Sequence, residues 1–129
     1  MLQLEDTLAR WIVKGGIDCF DSSMLSGEMK KRVFTTAGLL FFRQNNYREA
    51  VKCLCVAGNK EVLCELGDEL MKINRFREAT LAFIPTKDKE RLDKVAAICA
   101  KEGEYQLALE AYKASNNMEM VSFISKNLY

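Results

Sequence analysis

One spacing recurs along this chain of 129 residues. The aromatic residues Tyr47, Phe76 and Tyr105 lie 29 residues apart. A fixed period of this size is typical of repeat proteins, in which each repeat buries its apolar face by stacking on the next. The same step relates further sets of equivalent positions: Phe34, Leu63 and Leu92; Gly38, Gly67 and Ala96; Ala50, Ala79 and Ala108; Leu54, Phe83 and Tyr112.

Within each repeat the apolar residues follow the three-to-four-residue period of an amphipathic helix. Tyr47, Ala50, Val51 and Leu54, for example, fall on one helical face. Polar or glycine-containing stretches separate these segments and predict turns. The predicted helices are Lys30 to Arg43, Tyr47 to Ala57, Lys60 to Ile73, Phe76 to Ile84, Lys89 to Lys101, Tyr105 to Ser115 and Met118 to Asn127.

The pattern predicts a single helical-repeat domain over residues 1–129. Its opening segment is a degenerate repeat: Leu4, Leu8, Trp11 and Ile12 make an apolar stripe, but Asp21 stands where later repeats have alanine. Terminal repeats usually deviate in this way. The predicted parts are the opening repeat 1–28, the repeats 30–58, 59–87 and 88–116, and a last helix in 117–129.

Small residues recur where two antiparallel helices would approach most closely. Glycine inside a helix costs about 1 kcal/mol relative to alanine. Gly38 and Gly67 occupy equivalent positions, and Ala96 takes the third. We interpret this conservation of size between repeats as a packing requirement.

Two linked patterns summarise the first full repeat, Phe34-x2-Ala37-Gly38-x2-Phe41 and Tyr47-x2-Ala50-x3-Leu54. They resemble the tetratricopeptide helix-turn-helix repeat. The resemblance covers about residues 30 to 127 and implies an all-α fold, a right-handed α-solenoid of tetratricopeptide-like helical hairpins. The chain departs from that family in its period, 29 residues instead of 34. Phe34, Leu63 or Leu92 also replaces the consensus tryptophan.

Shortened repeats of this kind are similar to the α-solenoids of vesicle-coat and intraflagellar-transport subunits. The opening Trp11 to Gly15 resembles the helical repeats of large tetratricopeptide and ankyrin-repeat proteins that carry a helicase-like ATPase. These resemblances imply a protein-protein interaction scaffold, as a segment of a larger assembly. A nucleic-acid-associated accessory repeat of a helicase-like protein is an alternative.

Four cations keep the repeat spacing: Lys14, Arg43, Lys72 and Lys101, here called the basic ladder. In tetratricopeptide-like arrays the first helices line the concave surface, so the ladder would suit an acidic or phosphorylated peptide. The alternative is that cations in the last turn of a helix complement its dipole.

Two apolar residues, Phe42 and Met71, fall on the predicted groove face. They favour an apolar or helical partner segment, and the alternative is that they pack within the stack. Residues like those of the family's clamp for peptide carboxyl termini are not found.

The last predicted helix carries more apolar surface than a solvent-facing cap needs. Its predicted stacking face would be covered by a further repeat, by a partner or by a second copy of the chain. The residues of that face are Met120, Phe123, Ile124 and Leu128.

Catalysis and metal binding find little support in the sequence. The chain has no histidine and no glycine-rich phosphate loop, so we predict no enzyme activity and no cofactor. Zinc binding by Cys53, Cys55 and Cys64 is conceivable, but buried thiols that act as small apolar groups explain these cysteines better. We therefore predict no metal site.

Charge and composition limit the remaining classes. A net charge of +1 gives no global attraction to nucleic acid or anionic membranes. The apolar runs fall far short of the roughly 20 residues that span a bilayer. Five cysteines without a disulfide framework, and no secretory signal, predict a cytoplasmic or nuclear protein. The expected partner is a protein or peptide.

Overall fold

The computed structural model describes residues 4–17, 20–23 and 25–127, and every regular element within them is a helix. The predicted all-α fold class is therefore confirmed. Among the described residues, no helix combines the length and the apolar character needed to cross a membrane. The helices are α1 (Leu4–Gly15), α2 (Gly27–Arg43), α3 (Tyr47–Ala57), α4 (Lys60–Lys72), α5 (Phe76–Phe83), α6 (Lys89–Lys101), α7 (Tyr105–Ala114) and α8 (Met118–Asn127), with a 3-10 turn at Ile84–Thr86.

The predicted helix boundaries hold to within one residue from α3 onward. The helix before them, α2, begins at Gly27 instead of the predicted Lys30, because Ser26 caps it. The Ser26 hydroxyl accepts a hydrogen bond from the Met29 N–H at 3.2 Å. Between α1 and α2, residues 20–23 and 25 contain no α-helix. Among the described residues, the predicted opening repeat therefore contributes one helix.

The helices group into two compact units, unit 1 (Met1–Val62) and unit 2 (Leu63–Tyr129). In unit 1, α2 packs against both α1 and α3. In unit 2, α6 packs against α5 and α7, and α7 packs against α8. The single repeat domain stays a prediction.

The apolar stripe of α1 is rotated from its predicted position. Ile12 and Ala9 are buried, whereas Trp11 and Leu4 are 61% and 59% exposed. The prediction that Leu4 and Trp11 belong to the buried stripe is therefore wrong, because the face of α1 that packs on α2 centres on Ile12.

Left-handed backbone marks two kinds of turn. The described residues with positive φ form two series with 29-residue steps: Gly16, Asn45, Asn74 and Gly103 at φ 92°, 61°, 62° and 85°, and Gly58, Lys87 and Asn116 at φ 69°, 58° and 60°. Glycine adopts this conformation without strain, and asparagine tolerates it better than most residues. The sequence therefore supplies suitable residues at six of these seven turn positions, and Lys87 is the exception.

Three of the four turns in the first series, those at Asn45, Asn74 and Gly103, end their helices in the same way. After α2, the Asn46 N–H donates to the Phe41 carbonyl at 2.9 Å and the Asn45 N–H donates to the Phe42 carbonyl at 3.0 Å. This pair of bonds is the Schellman motif, which satisfies carbonyls at a helix end. The same two bonds occur after α4 and after α6.

The second series is followed by helix caps. Each cap side chain accepts a hydrogen bond from the N–H three residues later, at 3.2 to 3.3 Å, and so supplies a partner for a free N–H of the new helix. These bonds set where α4, α6 and α8 begin. The capping residues are Asn59, Asp88 and Asn117.

Two glycines let helices approach closely. A Cβ on Gly38 of α2 would lie 2.9 Å from Leu54 Cγ of α3, and one on Gly67 would lie 2.2 Å from Phe83 Cε1 of α5. Both distances are shorter than carbon atoms normally allow, so the predicted packing requirement for small residues is observed at both sites.

We predict that Gly67→Ala destabilises the protein by about 1–3 kcal/mol, because the added methyl overlaps the buried Phe83 ring. Alanine otherwise favours a helix interior. The matched control is Gly27→Ala, whose Cβ meets nothing within 4 Å. Urea unfolding checks both variants, and equal stability of Gly67→Ala and the parent protein would contradict the packing argument.

Candidate functional site: an apolar groove with a charged rim

A groove of about 680 Å³ lies in unit 2 between α4, α5 and α6. Its apolar lining comes from Met71 of α4, Phe76 and Phe83 of α5, and Ile98 of α6. Charged side chains complete the wall. They are Asp68, Lys72, Glu90, Arg91 and Lys94.

The apolar lining is partly open to solvent. Phe83 is 1% exposed and forms the floor, where Gly67 leaves room for its ring. Met71, Phe76 and Ile98 are half-buried, so each keeps apolar surface that a bound group could cover. A methionine beside two aromatic rings gives a surface that adapts to apolar side chains of different shape.

Arg91 joins two helices at one wall of the groove. Its Nε and Nη2 donate to the two carboxylate oxygens of Asp68 at 3.0 Å each, and its Nη1 donates to Asp88 at 2.6 Å. Hydrogen bonds to the carboxylates raise the pKa of the Arg91 guanidinium, with Asp68 as the main cause and Asp88 next. Because its guanidinium is bound by both Asp68 and Asp88, Arg91 holds these side chains in place and is not free to bind a ligand.

Of the cations that line the groove, Lys94 is the one without an ion-pair partner among the described residues. Lys72 lies 3.1 Å from Glu69 and forms an ion pair with it. Lys94 is exposed and makes no ion pair with any residue in 4–17, 20–23 or 25–127. The repeat spacing could not single it out, because Glu65 occupies the equivalent position one repeat earlier.

The members of the basic ladder have different surroundings. Lys14, Arg43, Lys72 and Lys101 are all exposed, each in the last turn of its helix. Lys72 lines the unit 2 groove, whereas Arg43 lines a smaller cleft in unit 1. Lys14 and Lys101 line neither. The ladder as a single binding surface stays a prediction.

The two predicted groove residues also differ. Met71 lines the unit 2 groove. The ring of Phe42 packs against the ring of Tyr47, with centroids 5.3 Å apart and an interplanar angle of 58°. Phe42 thus contributes to the packing of α2 on α3, which was the alternative interpretation of this residue.

On α8, the side chains of the predicted stacking face point in different directions. Ile124 is fully buried, because α8 packs on α7 through Val121 and Ile124. Phe123 is 50% exposed and Met120 is half-buried. Leu128 lies outside the described residues. Ile124 is therefore corrected from stacking face to core, and the role of the others stays a prediction.

The described cysteines, Cys53, Cys55, Cys64 and Cys99, belong to no cluster that could hold a metal ion. Cys53 is fully buried, and burial, with a smaller contribution from the Glu49 carboxylate, raises the pKa of its thiol to about 12. A protonated thiol is a poor ligand and a poor nucleophile. Within the part of the chain that the structure describes, no group of three or more His, Cys, Asp or Glu side chains could hold a metal ion.

Comparison with known proteins gives no relative. The chain matches no protein-family model, no curated protein and no solved structure.

We predict that Asp88→Asn reduces the pH dependence of stability in acid. Hydrogen bonds from the Arg91 N–H and then the Arg91 guanidinium lower the pKa of Asp88, so its contribution is present above about pH 4 and is lost as the pH falls through the folded-state pKa. Asparagine keeps the cap without the charge. Urea unfolding at neutral and acidic pH checks this. A stability difference between the two proteins that is the same at both pH values would contradict it.

Proposed function

We propose that the chain is a protein-protein interaction scaffold built from tetratricopeptide-like helical hairpins stacked as a right-handed α-solenoid, within a larger assembly. Two repeated features support this. The positive-φ turns recur at the 29-residue step, and a glycine under a large side chain recurs in Gly38 with Leu54 and in Gly67 with Phe83. The support for stacked repeats therefore comes from this shared backbone geometry more than from sequence identity between the repeats.

The binding site in this proposal is the unit 2 groove, and the observation that carries it is the partly exposed apolar lining beside Lys94. A partner segment would insert an apolar side chain against Met71, Phe76 and Ile98 and cover their exposed surface. Each square ångström of apolar surface removed from water contributes about 25 cal/mol. A carboxylate next to that side chain would pair with Lys94, which fixes the direction of the segment.

A receptor for acidic or phosphorylated peptides through the basic ladder is the second candidate. It is favoured by the exposure of Lys14, Arg43 and Lys101, none of which makes an ion pair with a residue in the described part of the chain. Lys72 already has Glu69 as a partner, although such an exposed pair is weak.

A nucleic-acid accessory role has less support. The net charge is +1, and the carboxylates of Asp68 and Glu90 line the same groove as Lys94. Binding of RNA or DNA would weaken steeply with salt, whereas occupancy of an apolar groove would change little.

The groove is tested by selecting random peptides from a displayed library on the purified chain and measuring their affinity by calorimetry. We expect the selected peptides to carry a large apolar residue. Met71→Glu should weaken their binding roughly tenfold or more, because it places a charge against that apolar residue. Lys94→Glu should weaken those peptides that carry an acidic residue.

The matched control is Ala97→Glu, an exposed position on α6 outside the groove lining. Circular dichroism would show that each variant keeps its helices. Peptides that bind Met71→Glu as tightly as the parent protein would rule out the groove as their site.

A further inference from the structure

A second cleft, in unit 1, collects two arginines. It has a volume of about 340 Å³ and lies between α1 and α2. Arg10 comes from α1, and Arg43 comes from the last turn of α2. The lining residues are Asp6, Arg10, Thr36, Leu39, Leu40 and Arg43.

No carboxylate of the described residues forms an ion pair with either guanidinium group of this cleft. Neither Arg10 nor Arg43 forms an ion pair with any residue of the described ranges, although Asp6 lines the same cleft. The Thr36 hydroxyl donates to the Arg32 carbonyl at 3.0 Å and is already used. The cleft therefore presents two free cationic donors against one carboxylate, a local excess of positive charge in a chain that is nearly neutral overall.

The geometry of guanidinium selects the ligand. Each group is a planar fork that donates two parallel hydrogen bonds to a phosphate or a carboxylate. A phosphorylated side chain carries a charge of about −1.5 to −2 at pH 7 and three acceptor oxygens. One phosphoryl group can accept hydrogen bonds from two guanidinium groups, whereas one carboxylate balances the charge of only one of them.

We propose that this cleft binds the phosphoryl group of a phosphorylated side chain in a partner protein. Leu39 is 43% exposed in the lining, so an apolar residue next to the phosphorylated one has a surface to cover. The Asp6 carboxylate repels any phosphate group near the cleft. A nucleic-acid strand would bring several phosphates past it and would therefore be repelled more than a single phosphoryl group. The proposal rests on the proposed function only in that the occupant belongs to a protein.

Arg10 and Arg43 act as a pair within unit 1, which differs from the basic ladder. The ladder takes one cation from each repeat at the same position. Arg10 is outside it, since its equivalent positions hold Leu39, Asp68 and Ala97. Repeat spacing alone therefore could not find this pair.

The probe is a short synthetic peptide with phosphoserine between two leucines, added to the ¹⁵N-labelled chain and followed by NMR. We expect the amide signals of Arg10, Thr36 and Arg43 to shift, and the unphosphorylated peptide to leave them unchanged. Arg10→Gln and Arg43→Gln should each weaken binding roughly tenfold, the loss expected for a hydrogen bond to a charged group. Asp6→Asn should strengthen binding, because it removes the opposing charge.

The matched control is Arg48→Gln, which removes an exposed arginine of α3 that does not line the cleft. Equal weakening by Arg48→Gln, or no weakening by Arg10→Gln and Arg43→Gln, would overturn the proposal. Binding of inorganic phosphate as tightly as the phosphopeptide would overturn the assignment to a protein side chain, as would tighter binding of a single-stranded oligonucleotide. Met71→Glu in unit 2 should leave this titration unchanged, so failure here is separable from failure of the groove.

Discussion

The close contact between a glycine in one helix and a large side chain in the next is the constraint on which the rest of each unit depends. At Gly67 the Phe83 ring occupies the volume that any side chain would take, and at Gly38 Leu54 does the same. A larger residue at either position would push the helices apart or force the buried side chain out of its place. In unit 2 this contact also shapes the proposed binding groove, since Phe83 lines the groove and its ring fills the space where a Cβ of residue 67 would lie.

Charge pairing then decides which groups remain available. Arg91 is bound by Asp68 and Asp88, and Lys72 is paired with Glu69. Among the described residues that line the groove, Lys94 is then the cation without an ion-pair partner, and Glu90 is a carboxylate without one. In unit 1 the situation is reversed, because Arg10 and Arg43 line one cleft and neither forms an ion pair with a residue that the structure describes. The two clefts thus offer different chemistry: the unit 2 groove combines an apolar lining with charged walls, and the unit 1 cleft is cationic.

Features that depend on local sequence were predictable. Helix ends follow from single residues, such as the asparagines at positive φ and the capping Asn59, Asp88 and Asn117, and the helices from α3 onward therefore lie where the sequence places them. The glycine positions were also predictable, because helical glycine has an energetic cost that only packing explains.

Features that depend on neighbours from another helix were not predictable. To predict that Arg10 and Arg43 line one cleft, one must know which helices face each other. The same knowledge is needed to predict that Lys94 has no ion-pair partner among the described residues. Trp11 and Ile124 show the same limit for apolar residues: Trp11 is exposed, whereas Ile124 lies in the core. Periodicity identifies an apolar stripe, but a rotation of the helix by one position changes which of its members touch the neighbouring helix.

The most direct test of the account is the NMR signal of the Gly67 Hα protons. With Phe83 packed directly over Gly67, we expect strong nuclear Overhauser contacts between these protons and the Phe83 ring, together with a ring-current shift away from the usual glycine position. Ordinary Gly67 shifts without contacts to the ring would contradict the helix packing, and with it the groove that Phe83 floors.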